Sequence, residues 1–475
     1  MLSDLSFLLP EIFIVGVIAG GGLIEIFLPS FSHRFVTRLN GLGVGVVGAG
    51  LVGTFRHSGT AFQGMFAADP FSFFFKLLFL ASAASVLVMK REGSNGKGGV
   101  EFYLLLWSAL LGMFFLVSAR DFLLFFVSLE LLTLSLYILA AYTRTDMLSI
   151  EAGLKYLVLG SLASAFLLYG ISLIYASTGV LAFEKLGELV RSGEKIPRLF
   201  LAGILLVLSA LGFKVAAVPF QVWVPDVYQG APTPVVAFLS VASKSAGFAA
   251  LARIFFETLG PLEGERRILF SLLASLTLFY GNLGALVQKD MKRLLGFSSI
   301  GHAGFLLIAF ATPPEAGQRP LLYYLVAYAV SNLAAFLVVS IVERGGARSA
   351  PPFPGTIEAY QGLFQRSPLL AAGMFLALLS LAGVPPLAGF FAKFFILLAA
   401  ARSQLVGVVF LGALNVAISL YYYLNVVRVL YFEKAKDPST IALSFPARLV
   451  LLGLMAGIVL VGVWQAPFLR IISRM

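Results

Sequence analysis

Two lysines stand inside one apolar stretch of the sequence, which runs from Leu199 to Phe256. Lys214 follows the run LSALGF and Lys244 lies in SVASKSAGF, so both amines are set among aliphatic, aromatic and small residues. A lone ammonium in hydrocarbon costs about 3 kcal/mol on insertion scales. A lysine kept at such a place therefore needs a partner, water or a function.

The segment between the two lysines is interrupted. It holds four prolines, which remove backbone donors and break helix geometry: Pro219, Pro225, Pro232 and Pro234. A broken helix at membrane depth is tolerated only where protein buries it or water reaches it. Buried lysines beside such a break predict an internal path for ions. The alternative is snorkelling to the helix ends, although Lys244 lies about 12 residues into its span. We predict that Asp226 and Gln229, after the break, are polar lining or caps.

Two further charges occupy apolar spans. Glu130 lies in the middle of DFLLFFVSLELLTLSLYIL, where a carboxyl group must be either protonated or paired. Intramembrane acids usually mark ion pathways, and the alternative is a neutral acid hydrogen-bonded to a neighbouring helix. Lys393, in GVPPLAGFFAKFFIL, follows Pro385 and Pro386 by two helical turns. It is either a second relay lysine or a lysine that braces a break.

Three other titratable residues are ambiguous in the sequence. Lys155 follows Glu151 by one turn, so the two predict an ion pair along a helix, with a relay role as the alternative. Lys76 is close to Asp69 and to the start of its span, which predicts snorkelling. His302, in SSIGHAGFLL, can relay protons because imidazole titrates near neutral pH. A packed, hydrogen-bonded histidine is the alternative there.

The composition restricts the class of protein. Of 475 residues, 59% are hydrophobic and 12% are charged, which indicates a polytopic membrane protein. The net charge of +11 is scattered over short connections, a pattern that argues against nucleic-acid binding. The chain has no cysteine, which excludes disulfides and thiolate-ligated iron-sulfur clusters. Its three histidines, His33, His57 and His302, are far apart, which argues against a histidine-rich metal or haem site.

Crossing about 30 Å of hydrocarbon takes about 20 helical residues. On that scale the sequence predicts fourteen membrane helices, near residues 6–28, 36–55, 71–89, 102–118, 121–142, 151–177, 198–223, 232–257, 268–287, 293–311, 320–343, 368–401, 404–432 and 446–468. The first carries Glu11 and Glu25 without a basic flank, which predicts a retained span rather than a cleaved signal peptide. Three polar stretches are predicted surface loops: Arg91–Gly99, Glu184–Arg198 and Glu343–Arg366.

Two distant segments echo each other. The run LSALG at Leu208–Gly212 is similar to LSLAG at Leu379–Gly383, and each is followed by prolines and an apolar run. Lys214 lies near the first segment and Lys393 near the second. Interrupted helices at corresponding places of two halves are typical of transporters built from structural repeats, although so few identities also arise by chance.

At these residues the sequence resembles the antiporter-like membrane subunits of respiratory complex I. The resemblance covers nearly the whole chain and is strongest in three stretches that begin at Glu151, Trp223 and Gln288: EAGLKYLVLGSLASAFLLYGISLIYA, WVPDVYQGAPTPVVAFLSVASKSAGF and QKDMKRLLGFSSIGHAGF. Two features favour the subunit N branch. Lys244 stands where subunits L and M have a histidine-containing segment, and the chain ends at Met475 without the long lateral helix of subunit L. Cation/proton antiporter and membrane-bound hydrogenase subunits are more distant candidates.

The resemblance implies an all-α polytopic membrane protein of about fourteen helices. Two inverted five-helix repeats are expected, with the seventh and twelfth helices broken. The implied organisation is a single integral membrane domain over residues 1–475, with N-terminal helices in 1–118, a first repeat in 102–257, a second repeat in 268–432 and a last helix in 446–468.

The resemblance also assigns roles to residues of this chain. The implied proton relay consists of the acid of the fifth helix and the lysines of the seventh, eighth and twelfth helices: Glu130, Lys214, Lys244 and Lys393. Lys155 on the sixth helix and His302 on the tenth match further family positions and are possible relay groups.

The function implied by the resemblance is proton translocation in the membrane arm of NADH:quinone oxidoreductase, in the bacterial inner membrane. No cofactor is expected in this chain, and FMN and iron-sulfur clusters are expected in partner subunits. The expected neighbours are antiporter-like subunit M, small membrane subunits and the lipid bilayer. The alternatives are a stand-alone or multisubunit cation/proton antiporter, and a passive scaffold that only completes the membrane arm.

Overall fold

The computed structural model describes residues 2–27, 33–55, 58–93, 99–192, 196–259, 263–345, 355–436 and 439–472. Most of these residues are helical, and the two strands found among them, β1 (Gly59–Ala61) and β2 (Phe66–Ala68), form one short antiparallel pair. His57 and parts of the three predicted loops (residues 94–98, 193–195 and 346–354) lie outside the described residues.

The helices follow one another with short connections. In chain order they are α1 (Leu2–Phe7), α2 (Leu9–Phe27), α3 (His33–Thr54), α4 (Pro70–Gly93), α5 (Val100–Ser118), α6 (Phe122–Ala140), α7 (Met147–Thr178), α8 (Phe183–Arg191), α9 (Arg198–Val215), α10 (Trp223–Gly230), α11 (Thr233–Phe238), α12 (Lys244–Ala252), α13 (Glu263–Leu286), α14 (Met291–Ala311), α15 (Pro314–Gly345), α16 (Leu363–Arg366), α17 (Pro368–Ala382), α18 (Ala388–Arg402), α19 (Val406–Phe432), α20 (Phe445–Val463) and α21 (Gln465–Ile472). The π-helical segment Leu239–Ser243 joins α11 and α12 into one continuous helix, and a second π-helical segment, Arg253–Thr258, extends it. A 3₁₀ helix covers Ile357–Tyr360.

The membrane helices agree with the sequence prediction. Twelve helices among the described residues are long and apolar enough to cross a membrane, by length and composition, and each coincides with a predicted span. The other two predicted spans are also helical: α3, whose first turns read HRFVTR, and the pair α17 and α18, of 15 residues each. The prediction of an all-α polytopic membrane protein is confirmed. The count of fourteen and the two five-helix repeats stay predictions.

Two of the predicted surface loops contain helices. The stretch Glu184–Arg198 was expected to be a loop, but most of it belongs to α8. Phe183, Leu186 and Val190 are buried there, at the spacing of one helical face. The apolar stripe is short and four of the nine residues of α8 are charged, so the sequence was interpreted as a polar loop. The stretch Glu343–Arg366 likewise contains α16 and the 3₁₀ helix.

The helices α9 and α17 end in the same way. Each is closed by a residue in the left-handed conformation, Ala216 (φ 65°) in one and Gly383 (φ 90°) in the other. The next amide then donates to the carbonyl five residues earlier, at 2.8 Å after α9 and 3.0 Å after α17. When the two helices are aligned by their ends, Ala216 corresponds to Gly383. When they are aligned by the similar runs LSALG and LSLAG, Gly212 corresponds to Gly383 instead. The register of the echo is therefore displaced by about one turn.

The centre of the protein is formed by the continuous helix α11–α12, by α14 and by most of α15, whose residues are almost all buried. The helices α7, α13, α19 and α20 lie around them and expose large apolar side chains, such as Leu154, Leu272, Phe410 and Leu449. An apolar exterior is the surface that contacts lipid. Polar side chains on α11–α12 and α14 therefore face protein rather than lipid.

Lys76 corrects a prediction from the sequence. It was expected to snorkel near Asp69, but its side chain is buried and its Nζ forms a 2.7 Å ion pair with Glu11 of α2. The rings of Phe66 and Phe114 face the same amine, with centroids 4.9 and 5.8 Å away. The pairing joins α2 to α4. The sequence could not show which acid a lysine meets across the fold.

A second buried cluster fixes the start of α4. Asp69, in the connection before α4, pairs with Arg253 at 2.8 Å and with Arg120 at 3.0 Å. Burial raises the pKa of Asp69, but the charges and hydrogen bonds of Arg253 and Arg120 outweigh it and lower that pKa to about 2. Its stabilising effect is complete above the ordinary pKa of 3.8 and is lost as the pH falls towards 2. Arg253 also donates to the carbonyl of Val117, so the cluster ties α4, α5 and the end of the α11–α12 helix together.

The buried pair of Glu11 and Lys76 makes a stability prediction. Lys76→Met leaves the Glu11 carboxylate unpaired in an apolar interior, which should lower the free energy of unfolding by about 3–5 kcal/mol. The double variant Glu11→Leu/Lys76→Leu removes both charges and should unfold close to the wild type. Thermal unfolding of the detergent-solubilised protein measures both. A double variant as unstable as Lys76→Met would contradict the explanation by an unpaired charge.

Candidate functional site

Two helix breaks border the site: the first lies between α9 and α10, and the second between α17 and α18. Lys214 lies in the last turn of α9, just before the first break. Its side chain is buried, and its Nζ makes no hydrogen bond to any of the described residues. The last turn of a helix presents unpaired carbonyls and the negative end of the helix dipole, an environment that favours a cation. The lysine stem packs on Gly247 of α12. A Cβ added there would lie 3.2 Å from Lys214 Cγ and 2.8 Å from Val215 Cγ1.

Glu130, on α6, is half-buried and is held by α7. Its Oε1 accepts a 2.5 Å hydrogen bond from the hydroxyl of Ser164. The charge of Glu130 acts on Lys214, but the amine of Lys214 has no direct partner among the described residues. Glu130 and Lys214 are thus within electrostatic range of each other without a direct contact between carboxylate and amine. Glu130 can bias the charge of Lys214 while Ser164 fixes its own position.

Lys244 lies in the buried α11–α12 helix, directly after the π-helical segment Leu239–Ser243. Single π turns inside α-helices are frequent at functional sites. The amine of Lys244 donates to the carbonyl of Ser299 on α14 at 2.7 Å and to the hydroxyl of the same residue. That hydroxyl is also bonded to Tyr228 Oη of α10, at 3.2 Å. Lys244 is therefore satisfied by polar atoms at mid-helix and does not snorkel.

His302, on α14, is buried and both of its ring nitrogens are hydrogen-bonded. Nδ1 lies 2.7 Å from Tyr324 Oη of α15, and Nε2 lies 3.2 Å from Tyr423 Oη of α19. Tyr423 is in turn bonded to the hydroxyl of Ser298. Each of these hydroxyls can donate and accept, so the imidazole is part of a network through which protons can pass.

Lys393 lies on α18, after the second helix break. Its amine donates to the carbonyl of Ala382, the last residue of α17, at 2.9 Å, and lies 3.4 Å from the hydroxyl of Ser419. The ring of Phe305 faces it with the centroid 5.2 Å away. A carbonyl at a helix end lacks an intrahelical donor, so the lysine caps the broken helix while it is itself satisfied.

The structure groups most of the predicted site residues in the interior. The charges of both Lys244 and Lys393 act on His302, so the imidazole is within electrostatic range of both amines. Glu130 and Lys214 form a second group on the side of α6 and α9. The interior contains amines, a carboxyl, an imidazole and hydroxyls, all of which can bind or release protons.

Lys155 lies apart from this interior group. Its side chain is 41% exposed, and it forms the predicted ion pair with Glu151 at 2.7 Å. It also pairs with Asp226 at 2.7 Å, and Asp226 pairs with Arg293 at 2.6 Å. Asp226 is thus more than the predicted lining or cap, because it links α7, α10 and α14 by ion pairs. Lys155 is therefore a surface residue and does not belong to the interior group.

Sequence reasoning missed the hydroxyl groups between the titratable residues. They are Ser164, Tyr228, Ser298, Ser299, Tyr324 and Tyr423. One signal was available, since the two serines of FSSIGHAGF precede His302 by about one turn on the same helix. Of the described residues, no group of three or more His, Cys, Asp or Glu could hold a metal ion.

Comparison with known proteins identifies the family. Residues 119–419 match the family described as "NADH:quinone oxidoreductase/Mrp antiporter, TM". A protein of Desulforamulus reducens named NADH-quinone oxidoreductase subunit N is 35% identical over 94% of this chain and 93% of its own length. The protein of the same name from Paramagnetospirillum magneticum is 40% identical, over 91% of this chain and 89% of its own.

A solved structure shows the same fold. One chain of the respiratory complex I from Thermus thermophilus with bound aureothin superposes with a TM-score of 0.82 and is 34% identical. The superposition covers 97% of this chain and 98% of that one. The branch predicted from the sequence is confirmed by these likenesses. The chain belongs to the family of NADH-quinone oxidoreductase subunit N, within the NADH:quinone oxidoreductase/Mrp antiporter membrane proteins.

Proposed function

We propose that this chain is a proton-translocating membrane-arm subunit of NADH:quinone oxidoreductase, in the bacterial inner membrane. Its relatives carry the name subunit N, and the solved chain that it resembles is part of a respiratory complex I. One observation supports proton translocation above all: five titratable side chains that have no directly paired opposite charge among the described residues are buried or half-buried within the helices of the bundle, namely Glu130, Lys214, Lys244, His302 and Lys393.

In the proposed path, Glu130 sets the charge of Lys214. Lys214 has no hydrogen-bond partner among the described residues, so its protonation depends on the surrounding charges more than that of a lysine held by fixed acceptors. Lys244 receives the proton in the middle of the membrane. Transfer between groups that are not in contact uses water that enters at the helix breaks.

The path continues from Lys244 towards Lys393. His302 is within electrostatic range of both amines, and the hydroxyls of Ser298 and Tyr423 are bonded to each other, that of Tyr423 also to this imidazole. A hydroxyl or a neutral imidazole can accept a proton on one side and donate one on the other. Lys393 then passes the proton to the other side of the membrane or to an adjoining subunit. We assign Lys155 a supporting role at the surface, where it holds Asp226.

The energy for this transport comes from outside the chain. Moving one charge against the membrane potential costs about 2.3 kcal/mol per 100 mV. We propose that electron transfer in partner subunits, which hold FMN and iron-sulfur clusters, supplies it through a conformational or electrostatic change. Antiporter-like subunit M and small membrane subunits are the proposed neighbours in the bilayer.

A second candidate function is that of a cation/proton antiporter subunit, because the matched family includes Mrp antiporters. The two functions differ in their partners and in their substrates. Isolation in mild detergent, with identification of the proteins that copurify, should recover redox subunits. Exchange of sodium for protons by the purified chain in liposomes, without redox subunits, would favour the antiporter.

The first prediction of this proposal concerns Lys244. Lys244→Met keeps an unbranched side chain only one atom shorter and removes the only titratable group of α12. The lost relay station should raise the barrier by at least ~1.4 kcal/mol, so proton translocation per electron transferred should fall about tenfold or more. Proton uptake by inverted vesicles that contain the assembled complex measures this. Lys185→Met, the same change at an exposed position of α8, is the matched control.

The passive-scaffold alternative makes the opposite prediction for these variants. If Lys244→Met and Glu130→Gln both assemble and translocate protons like the wild type, the residues do not form a relay. The amount of assembled complex in each membrane preparation is measured first, so that a failure of assembly is not counted as a failure of transport.

A second prediction concerns the packing of Lys214. Gly247→Ala places a Cβ 2.8 Å from Val215 Cγ1 and 3.2 Å from Lys214 Cγ, which forces Val215 to move and displaces the lysine stem by a smaller amount. Because the amine must stay in range of Glu130, proton translocation should fall several-fold without any titratable group being removed. Gly407→Ala, on α19, meets no atom within 4 Å and is the control. Equal translocation by the two variants would show that the position of Lys214 is unimportant.

A further inference from the structure

Three buried polar groups between Glu130 and Lys244 have no hydrogen-bond partner among the described residues. They are the hydroxyls of Tyr137 and Tyr156 and the amine of Lys214. Nearly all buried polar groups in proteins are hydrogen-bonded, so each exception needs an explanation. Three exceptions in one region of the bundle indicate a place where protons or water are handled.

The first hydroxyl lies beside the Glu130 group. Tyr137 is on the same helix as Glu130, two turns further on, and its hydroxyl occupies the space that a Cβ on Gly160 of α7 would need. Ser164, one turn beyond Gly160, donates to Glu130. Tyr137 therefore approaches the same face of α7 that holds the carboxylate.

The second hydroxyl lies next to the first and to the helix break. The ring of Tyr156 on α7 meets the ring of Tyr137 edge-on, with centroids 4.8 Å apart, and stacks on Trp223 at 4.6 Å. Trp223 Nε1 donates to the carbonyl of Phe213, the residue before Lys214, at 3.0 Å. Tyr156 is fully buried on α7, where its ring packs next to the break between α9 and α10.

On its other side, Tyr156 faces the group of Lys244. Its hydroxyl is near that of Ser243, the residue before Lys244, and is within electrostatic range of the hydroxyls of both Tyr137 and Tyr228. Tyr228 is bonded to Ser299, whose hydroxyl and carbonyl accept from Lys244. A tyrosine whose hydroxyl has no close hydrogen-bond partner among the described residues is thus near the Glu130 group through Tyr137 and near the Lys244 group through Tyr228.

We propose that the hydroxyl of Tyr156 passes protons between the Glu130 and Lys214 side and the Tyr228, Ser299 and Lys244 side. This inference rests on the proposed function and names a further relay residue for it. Tyr137 is its neighbour on the acid side.

The transfer step needs no ionised tyrosine. A proton binds to a lone pair of the neutral Tyr156 oxygen as the bond to its own proton breaks, and that proton moves on to the next acceptor. One proton arrives and one leaves, so the tyrosine is unchanged and its hydroxyl turns about the C–O bond before the next transfer. No electron is exchanged.

Packing alone explains the ring of Tyr156 but not its hydroxyl. Phenylalanine would make the same stacking contacts with Trp223 and Tyr137 without burying an unpartnered oxygen. Tyr156→Phe should therefore assemble as well as the wild type, which makes it a clean test. A structural role for the residue predicts no loss of transport from this change.

The experiment compares Tyr156→Phe with Tyr360→Phe in the assembled complex. Tyr360, on the 3₁₀ helix outside the spans, also has a buried hydroxyl with no partner among the described residues, so it is the matched control. Proton translocation per electron transferred should fall about tenfold in Tyr156→Phe, which corresponds to ~1.4 kcal/mol of barrier, and stay at the wild-type level in the control. Normal translocation by Tyr156→Phe overturns the inference.

Lys244→Met, measured in parallel, separates this inference from the proposed function. If Tyr156→Phe translocates normally and Lys244→Met does not, only the role of Tyr156 is wrong. If both translocate normally, the proposed function falls as well. Should Tyr156→Phe reduce assembly, Tyr137→Phe decides, because it removes the neighbouring free hydroxyl and leaves Tyr156 in place. Normal translocation by Tyr137→Phe would then overturn the inference.

Discussion

An amine in a low-dielectric interior must be paired, hydrogen-bonded or neutral, and the rest of this structure is arranged around that requirement. Lys76 meets it with a direct ion pair to Glu11. Lys244 and Lys393 meet it with carbonyl oxygens and hydroxyls, which accept hydrogen bonds without neutralising the charge. Of these four lysines, Lys214 alone makes no hydrogen bond to the described residues, and its charge is stabilised only by the end of α9 and by the charge of Glu130. The four lysines therefore differ in how firmly their charge is held, and Lys214 is held least.

The helix breaks supply what the amines need. A continuous membrane helix satisfies its own backbone and offers nothing to a lysine. Where α9 and α17 end inside the bundle, their last carbonyls lose their donors, and a cation beside them becomes favourable. Lys214 lies before the first break and Lys393 after the second, so the same backbone device serves lysines on opposite sides of it. The common left-handed residue at the two helix ends, Ala216 and Gly383, is what makes them alike.

The sequence predicted what depends on neighbours along the chain. Apolar run length located the membrane helices, and the four-residue spacing of Glu151 and Lys155 predicted their ion pair, because both properties are local. Contacts across the fold could not be predicted in this way. Lys76 has an acid close by in sequence, Asp69, yet it pairs with Glu11 on another helix. The family resemblance supplied the buried lysines as a set, but not the serines and tyrosines between them, since a hydroxyl in an apolar helix has many uses.

The same reasoning explains the displaced echo. The run LSALG ends four residues before the left-handed residue of its helix, whereas the run LSLAG ends on it. The similarity of the two runs therefore identified the right pair of helices but aligned them one turn out of register. A shift of about one turn keeps side chains on the same helical face. Sequence similarity of this kind therefore reports the face and the element. The position of the break depends on which residue adopts the left-handed conformation, and a sequence without glycine at that place, as at Ala216, does not reveal it.

Fixed charges at the ends of the bundle and loosely held charges in its interior have different effects. The Asp69–Arg253 pair ties down one end of the helix that carries Lys244, and the Lys155–Asp226–Arg293 cluster ties α10 to α7 and α14. Within this frame, two unit charges about 10 Å apart interact by about 1.7 kcal/mol at an effective dielectric constant of about 20, more than a tenfold change in proton affinity. A change of charge at Glu130 can thus reach Lys214, and a change at Lys244 or Lys393 can reach His302, without contact. Close ion pairing in the interior would suppress this coupling, because a paired charge is already compensated.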